Sequence, residues 1–288
     1  MRSGGARDAA AVDAFYASHP FPGYAPGDDA RALLDRARRA PFLAALDAAL
    51  PHDATVVDCG CGTGQLAAFL ALSAPRRRVV ALDRCRESLA CAREFRERVR
   101  VANLALVRAD LFALPLRNAF DFVFCRGVVH HTPDPERAIE CVARLVAPRG
   151  WLVLGIYETA ARAFHRLRRA LGRAAGGPIR ALDPILRRRD LDEGKRAIWR
   201  ADQYEHPLER SLALPQLVRQ LERLGLRVVR CVPPVPEGAG FFAPARAASP
   251  LGVAALRLGW FLRGATDADA GLVAIIAQRD GAAADGRT

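Results

Sequence analysis

Apolar residues along this chain follow two periods. Short runs of valine, leucine and phenylalanine at 55–59, 79–83, 104–108, 120–125, 151–156, 226–232 and 272–277 are bounded by turn residues and predict seven buried strands. Between the first five, longer segments carry helical patterns: 65–70, 84–98, and a helix that Asp134 caps and Pro135 opens, ended by a turn at Pro148-Arg149-Gly150. Strand and helix in regular alternation predict an α/β fold, a parallel sheet with helices on both faces.

The rhythm is interrupted in three places. At the start, 8–16 and 29–50 predict two helices separated by His19-Pro20-Phe21-Pro22-Gly23-Tyr24, where both prolines restrict the residue before them. After the fifth strand, 159–210 is helical and basic, broken at Gly176-Gly177-Pro178, and predicts an inserted lid. A helix over 211–224 resumes the core, and a further insertion at 233–269 precedes the seventh strand. It contains an apolar helix, 251–262, too short to span a bilayer and expected to belong to lid or core. The expected organisation is a helical cap at 1–50, a nucleotide-binding core at 51–158, the lid at 159–210, the rest of the core at 211–280 and a disordered tail at 281–288.

The first strand ends in Asp58-Cys59-Gly60-Cys61-Gly62-Thr63-Gly64, and a helix follows at once. Glycine at alternate positions permits φ > 0 and removes side chains that would keep a ligand from the strand end, where a helix N-terminus offers free N–H groups. Two cofactors compete for such a turn. Read from Gly62, the series Gly62-Thr63-Gly64-Gln65-Leu66-Ala67 with Asp83 at about the ~20-residue separation fits a dinucleotide fingerprint, which suits NAD and an oxidoreductase. Asp58 opposes that reading, because its carboxylate repels a pyrophosphate and welcomes a cationic amino acid end.

Taken with the segments downstream, this turn resembles the first motif of the class I S-adenosylmethionine-dependent methyltransferases, particularly the branch of ubiquinone and menaquinone biosynthesis enzymes. Val79-Val80-Ala81-Leu82-Asp83 resembles their second strand with its ribose-binding acid. Arg108-Ala109-Asp110-Leu111, followed by Leu114-Pro115-Leu116, resembles their adenine loop, and Phe120 to His131 their fourth strand and its loop. The resemblance covers 55–158. It implies a Rossmann-like seven-stranded, mostly parallel sheet in the order 3-2-1-4-5-7-6, with S-adenosylmethionine as cofactor. The implied cofactor contacts are Asp58, Gly60, Cys61, Gly62, Gly64, Asp83, Arg84, Asp110, Leu111, Cys125 and Arg126.

Composition narrows the partners. Of 43 basic residues every one except Lys195 is arginine, a bias that weakens arguments from arginine clusters, yet the net charge of +12 still favours anionic partners. Arg76-Arg77-Arg78, the run from Arg162 through Arg166, Arg168 and Arg169, and Arg187-Arg188-Arg189 suit either a solvated face or contact with RNA, an acidic substrate or a membrane surface. An RNA-modifying methyltransferase is therefore the alternative to a small-molecule enzyme. Seven cysteines without a C-x-x-C pair predict reduced thiols and no metal site. The absence of an apolar leader or spanning run predicts a cytoplasmic protein.

Ligands of open α/β sheets lie beyond the carboxyl ends of the strands. For a small-molecule acceptor with an oxygen or carbon nucleophile, the candidate catalytic side chains are therefore His130, His131 and Tyr157, on the loops after strands four and five. Histidine is the natural proton acceptor near neutrality. Tyr16, Phe21, Tyr24, Glu158, Tyr204 and His206 are the candidate substrate and lid residues.

Overall fold

The computed structural model describes residues 3–25, 27–188, 193–236, 238–243, 250–264, 266 and 271–281. The seven strands are β1 (Thr55–Cys59), β2 (Arg78–Asp83), β3 (Leu104–Arg108), β4 (Phe120–Arg126), β5 (Val146–Tyr157), β6 (Leu226–Val232) and β7 (Leu272–Arg279). They form one sheet in the order β3-β2-β1-β4-β5-β7-β6. All neighbours run parallel except β7, which is antiparallel to both β5 and β6. The helices are α1 (Ser3–Ser18), α2 (Ala30–Arg39), α3 (Pro41–Ala49), α4 (Gln65–Ser73), α5 (Arg86–Val99), α6 (Pro135–Ala143), α7 (Ala163–Ala174), α8 (Glu193–Arg200), α9 (Leu214–Arg223) and α10 (Pro250–Arg263).

Alternation along the central strands distributes their side chains between two cores. Val57, Cys59, Val123, Cys125, Leu152 and Leu154 pack with α6 and α9 on one face. Val56, Phe122, Phe124 and Val153 pack with Phe69, Leu70 and Phe95 of α4 and α5 on the other.

Several boundaries differ from expectation, each for a local reason. The single helix expected over 29–50 is two helices, because Pro41 holds Ala40 in an extended conformation (ψ 112°). The helix α6 ends at Ala143, and Pro148-Arg149-Gly150 is not its terminating turn but part of β5. There the pairing with β4 shifts register, Arg149 takes φ 62°, and a Cβ on Gly150 would lie 2.8 Å from the Ala147 carbonyl oxygen. Turn residues here make a bulge. Residues 211–213 are extended rather than helical, with Leu212 bridged to Glu158. In α10, Val253 and Trp260 enter the core, whereas Leu251, Leu258 and Leu262 are exposed. The expected tail from 282 onward, Arg189 and parts of the 233–269 insertion lie outside the described residues.

Candidate active site

At the carboxyl ends of β1, β2, β4 and β5 lies a cavity of about 370 Å³, roofed by α1 and by the turn after α8. Its size falls within the ~300–1,000 Å³ range of small-ligand sites. Asp58, next to last in β1, lines the cavity at 4% exposure. Burial pushes its carboxyl up to about 7; the nearby Arg126 charge opposes that rise and Asp83 adds to it. No protein hydrogen bond reaches this carboxylate among the described residues.

Asp83 closes β2 and is tied to the glycine turn. Its Oδ2 accepts the Gly62 N–H at 2.8 Å, and its Oδ1 accepts the Cys85 N–H at 2.8 Å. Burial raises its carboxyl, and these backbone bonds hold the rise in check. A carboxylate oxygen has two lone pairs, so each retains one for a ligand hydroxyl. Cys85 caps α5. Asp110 starts a short helical turn, accepting the Phe112 N–H at 2.9 Å with Oδ1, while Arg84 lies 3.9 Å from Oδ2 and 2.8 Å from Asp13 of α1. Asp13 lies outside the expected site, and no sequence signal marks it.

The glycines take the expected conformation and also leave room for the protein's own chain. All three adopt positive φ: 71° at Gly60, 54° at Gly62 and 78° at Gly64. Yet a Cβ at Gly60 would collide with Val128, and one at Gly62 with the Phe21 carbonyl oxygen. The room they leave is filled by the protein itself. The Thr63 N–H donates to that Phe21 carbonyl at 3.2 Å, and Gln65 Nε2 donates to Pro22 and Gly23 carbonyls at 3.1 and 2.9 Å. The segment 21–23 is thus built into the turn.

The two loop histidines differ in kind. His130 is fully buried off the cavity wall, its Nδ1 accepting the Tyr157 N–H at 3.3 Å, which places its proton on an unpaired Nε2. His131 lines the cavity and donates from Nδ1 to the Leu208 carbonyl at 2.7 Å, which leaves the Nε2 lone pair free. Burial, with the Arg162 and Arg169 charges acting in the same direction, pushes His131 down to about 4 against the Leu208 bond.

Tyr157 lines the cavity and is stacked beneath Arg162, whose guanidinium carbon is 3.6 Å from the ring centre. Burial raises its phenol, and Arg162 acts against that rise. Arg162 is clamped by Glu209 (Nε to Oε1 3.1 Å, Nη2 to Oε2 2.7 Å), and its Nη1 donates to Gln203 Oε1 at 2.7 Å. Three arginines of the expected basic lid, Arg162, Arg168 and Arg169, therefore turn inward, with side-chain bonds to Glu209, Gly264 and Tyr204 among their contacts.

Other expected residues separate into two groups. Asp58, Gly60, Cys61, Gly62, Asp83, Arg84, Asp110, Leu111, Arg126, Tyr16 and Phe21 line the cavity. Gly64 instead caps α4, and Cys125 is buried in the sheet. Tyr24 stacks on Phe95 with centroids 4.2 Å apart, and Tyr204 donates to Asp183 at 2.6 Å. His206 backs His131 at 3.8 Å. Glu158 pairs with Arg257 at 2.8 Å and accepts backbone N–H groups of Ala160, Ala161 and Leu214, joining β5 to the elements around it. Trp199, Asp202 and Gln203 complete the wall. The last two belong to a lid-end stretch, Asp202 to Pro207, whose polar and aromatic content marks it as covering.

A parallel sheet with an antiparallel seventh strand, and strand-end acids of β1 and β2 facing one cavity, define the class I methyltransferase architecture. Residues 57–154 match the family model described as a methyltransferase domain, and the chain carries a class I S-adenosylmethionine-dependent methyltransferase domain. An uncharacterized protein of Synechococcus sp. is 32% identical over 252 residues, 75% of this chain and 58% of that protein. A trans-aconitate 2-methyltransferase of Variovorax paradoxus is 29% identical (59% of this chain, 68% of that one), and a ubiquinone biosynthesis O-methyltransferase of Chromobacterium violaceum 32% identical (38% and 47%). The chain thus spans 47% to 68% of the length of these relatives. Among solved structures, PKMT2 from Rickettsia typhi superposes with a TM-score of 0.59 at 13% identity, covering 84% of this chain and 53% of that one, which shows the fold. The dinucleotide register beginning at Gly62 gives way to this assignment.

The residues fit S-adenosylmethionine. Asp58, buried and without a protein hydrogen bond among the described residues, suits the α-ammonium group, and the free lone pairs of Asp83 suit vicinal ribose hydroxyls. Leu111 and Phe112 offer apolar surface for the adenine beside Asp110.

Proposed function

We propose that this protein transfers a methyl group from S-adenosylmethionine to a small-molecule acceptor through an oxygen or carbon nucleophile. The observation that carries this reading is a single cavity running from Asp58 and Asp83 to Tyr16, His131, Tyr157 and Trp199 beneath a roof of α1 and the lid. Such a chamber suits a small molecule better than a nucleic acid strand. The inward turn of Arg162, Arg168 and Arg169 also removes basic charge from the face an RNA would need. The relatives named for trans-aconitate and for ubiquinone biosynthesis point the same way.

The bound cofactor supplies an activated methyl group on a sulfonium. The protein's contribution is alignment and exclusion of water, for which proximity effects reach ~7–11 kcal/mol. Asp58 and Asp83 anchor the two ends of the amino acid and ribose portion, and Tyr157, kept protonated by burial, offers a hydrogen bond donor rather than a base. His130 has its Nδ1 occupied, so of the pair only His131 presents a lone pair.

Transfer of labelled methyl to fractionated cell extract tests the reading. Label is expected in the low-molecular-mass fraction. Label recovered in tRNA, or in nothing despite tight binding of S-adenosylhomocysteine, overturns it.

A further inference from the structure

Asp202 lies in the wide turn Ala201–Glu205 that follows α8, lines the cavity and is 6% exposed. One side of its carboxylate is fixed. Gln203 Nε2 donates to Oδ2 at 2.6 Å and also to the Tyr157 hydroxyl at 2.8 Å, so one amide aligns the lid's carboxylate with the phenol at the end of β5. That amide is itself held by Arg162, through Gln203 Oε1 at 2.7 Å, and Arg162 is clamped by Glu209. The Oδ1 oxygen has no hydrogen bond partner among the described residues.

We propose that Asp202 accepts the proton of the methyl acceptor and selects a neutral, hydroxyl-bearing acceptor over a carboxylate. The inference rests on the methyltransferase reading and assigns that site's proton acceptor. A hydroxyl can donate to Oδ1, whereas a carboxylate brought to the same place meets a like charge in a wall largely closed to water. The aromatic rings of Tyr16, Tyr157 and Trp199 along the same cavity suit a flat acceptor body.

The alternatives on this wall are poorer proton acceptors. His131 is held neutral and down at about 4, and Tyr157 is kept protonated. The groups facing Asp202 are Gln203 and Glu209 of its own stretch, Arg162 ahead of α7, Tyr157 of β5 and Tyr16 of α1. Burial pushes Asp202 up to about 6; the Gln203 bond and Arg162 oppose that rise and Glu209 adds to it. It is thus ionised at neutral pH and a better base than an exposed aspartate.

The step balances simply. The acceptor O–H bond breaks and its proton passes to Asp202 Oδ1, while an oxygen lone pair forms the new bond to the methyl carbon. The S–CH3 bond breaks, its electron pair stays on sulfur and cancels the sulfonium charge, and Asp202 later returns the proton to water.

The test uses the full chain loaded with S-adenosylhomocysteine and two one-ring probes, catechol and benzoate, titrated calorimetrically at pH 8. Catechol is expected to bind at least tenfold more tightly than benzoate. Asp202→Asn should weaken catechol and strengthen benzoate, each at least tenfold, with S-adenosylhomocysteine affinity unchanged as the control for folding. Labelled transfer to catechol should fall ~10²–10⁴-fold in that variant, with partial rescue by Asp202→Glu. In the wild type the transfer rate should rise with pH through about 6. Benzoate bound more tightly than catechol, no catechol binding, or catechol binding and transfer insensitive to Asp202→Asn overturns the proposal. Failure of the wild type to bind S-adenosylhomocysteine at all is distinct, and removes the cofactor reading beneath it.

Discussion

The Gly62 N–H donates to Asp83 Oδ2 at 2.8 Å, so the turn after β1 and the acid ending β2 are one hydrogen-bonded unit. Asp83→Ala therefore orphans two backbone donors as well as losing its ligand contacts. Hydrogen bonds to charged groups are worth ~1.5–3 kcal/mol each, so two to ribose predict a loss of S-adenosylhomocysteine affinity of ~10²–10⁴-fold. Calorimetry would show it, with a lowered Tm in the unliganded protein. Unchanged affinity would remove Asp83 from the site.

Asp58 should make cofactor affinity pH-dependent. With its carboxyl at about 7 in the unliganded protein, an ammonium group must displace a bound proton below that pH. S-adenosylhomocysteine affinity should fall about tenfold per pH unit below 7. Asp58→Asn should bind weakly at every pH and lose this slope. A wild-type affinity flat from pH 5.5 to 8 contradicts the role.

Glycine substitutions should divide by what occupies the space. At Gly127, with φ 76° and nothing within 4 Å of where a Cβ would sit, alanine adds only left-handed strain, ~1–2 kcal/mol. Gly62→Val meets the Phe21 carbonyl and must also expel the segment beneath it. Faster proteolysis at residues 19–25 and loss of cofactor binding are expected for Gly62→Val alone.

Arg162 and Glu209 form a buried pair at 2.7 Å, with side-chain exposures of 0% and 7%. Burial opposes ionisation of Glu209, but the Arg162 bond and the Arg162 and Arg169 charges prevail and lower its carboxyl. Its contribution is present above its unfolded value and is lost as pH falls through the lower folded one. Arg162→Met should cost ~3–5 kcal/mol in denaturant unfolding. Arg162→Met combined with Glu209→Leu should recover much of that, and a purely additive double variant would refute the coupling.

Buried histidines set the acid limit. His131, His165 and His206 are pushed down to about 4, 3 and 3, chiefly by burial, so each contributes fully above its unfolded value of 6.5 and loses that contribution as pH falls toward its folded value. Asp58 and Asp202, raised to about 7 and 6, run the other way: their contribution is full below about 4 and lost as pH rises through those values. Binding S-adenosylhomocysteine ionises Asp58 and removes part of that offset. The liganded protein should therefore lose stability from pH 7 to 5 more steeply than the free protein, as read by urea unfolding.

Much of the frame was legible in the sequence because its strands are buried on both faces, and such runs as Val56-Val57 and Phe122-Val123-Phe124 admit few other environments. The break at Ala40 was visible in Pro41 but masked by the apolar periodicity on either side. The start of β5 was hidden because Pro148-Arg149-Gly150 is turn chemistry spent on a bulge. Strand-end acids marked the end of the cavity lined by Asp58 and Asp83. The acceptor end did not announce itself, since Gln203 and Tyr157 meet across 46 residues of chain, and only tertiary packing sorts His131 from His130.

The carbonyl of Phe21, which accepts the Thr63 N–H, ties the N-terminal segment to the cavity. Tyr16 of α1 and Phe21 and Pro22 after it form one wall of the cavity, held in place by the turn that follows β1. A chain trimmed to begin at its first strand would lose that wall and trade an enclosed chamber for an open ledge.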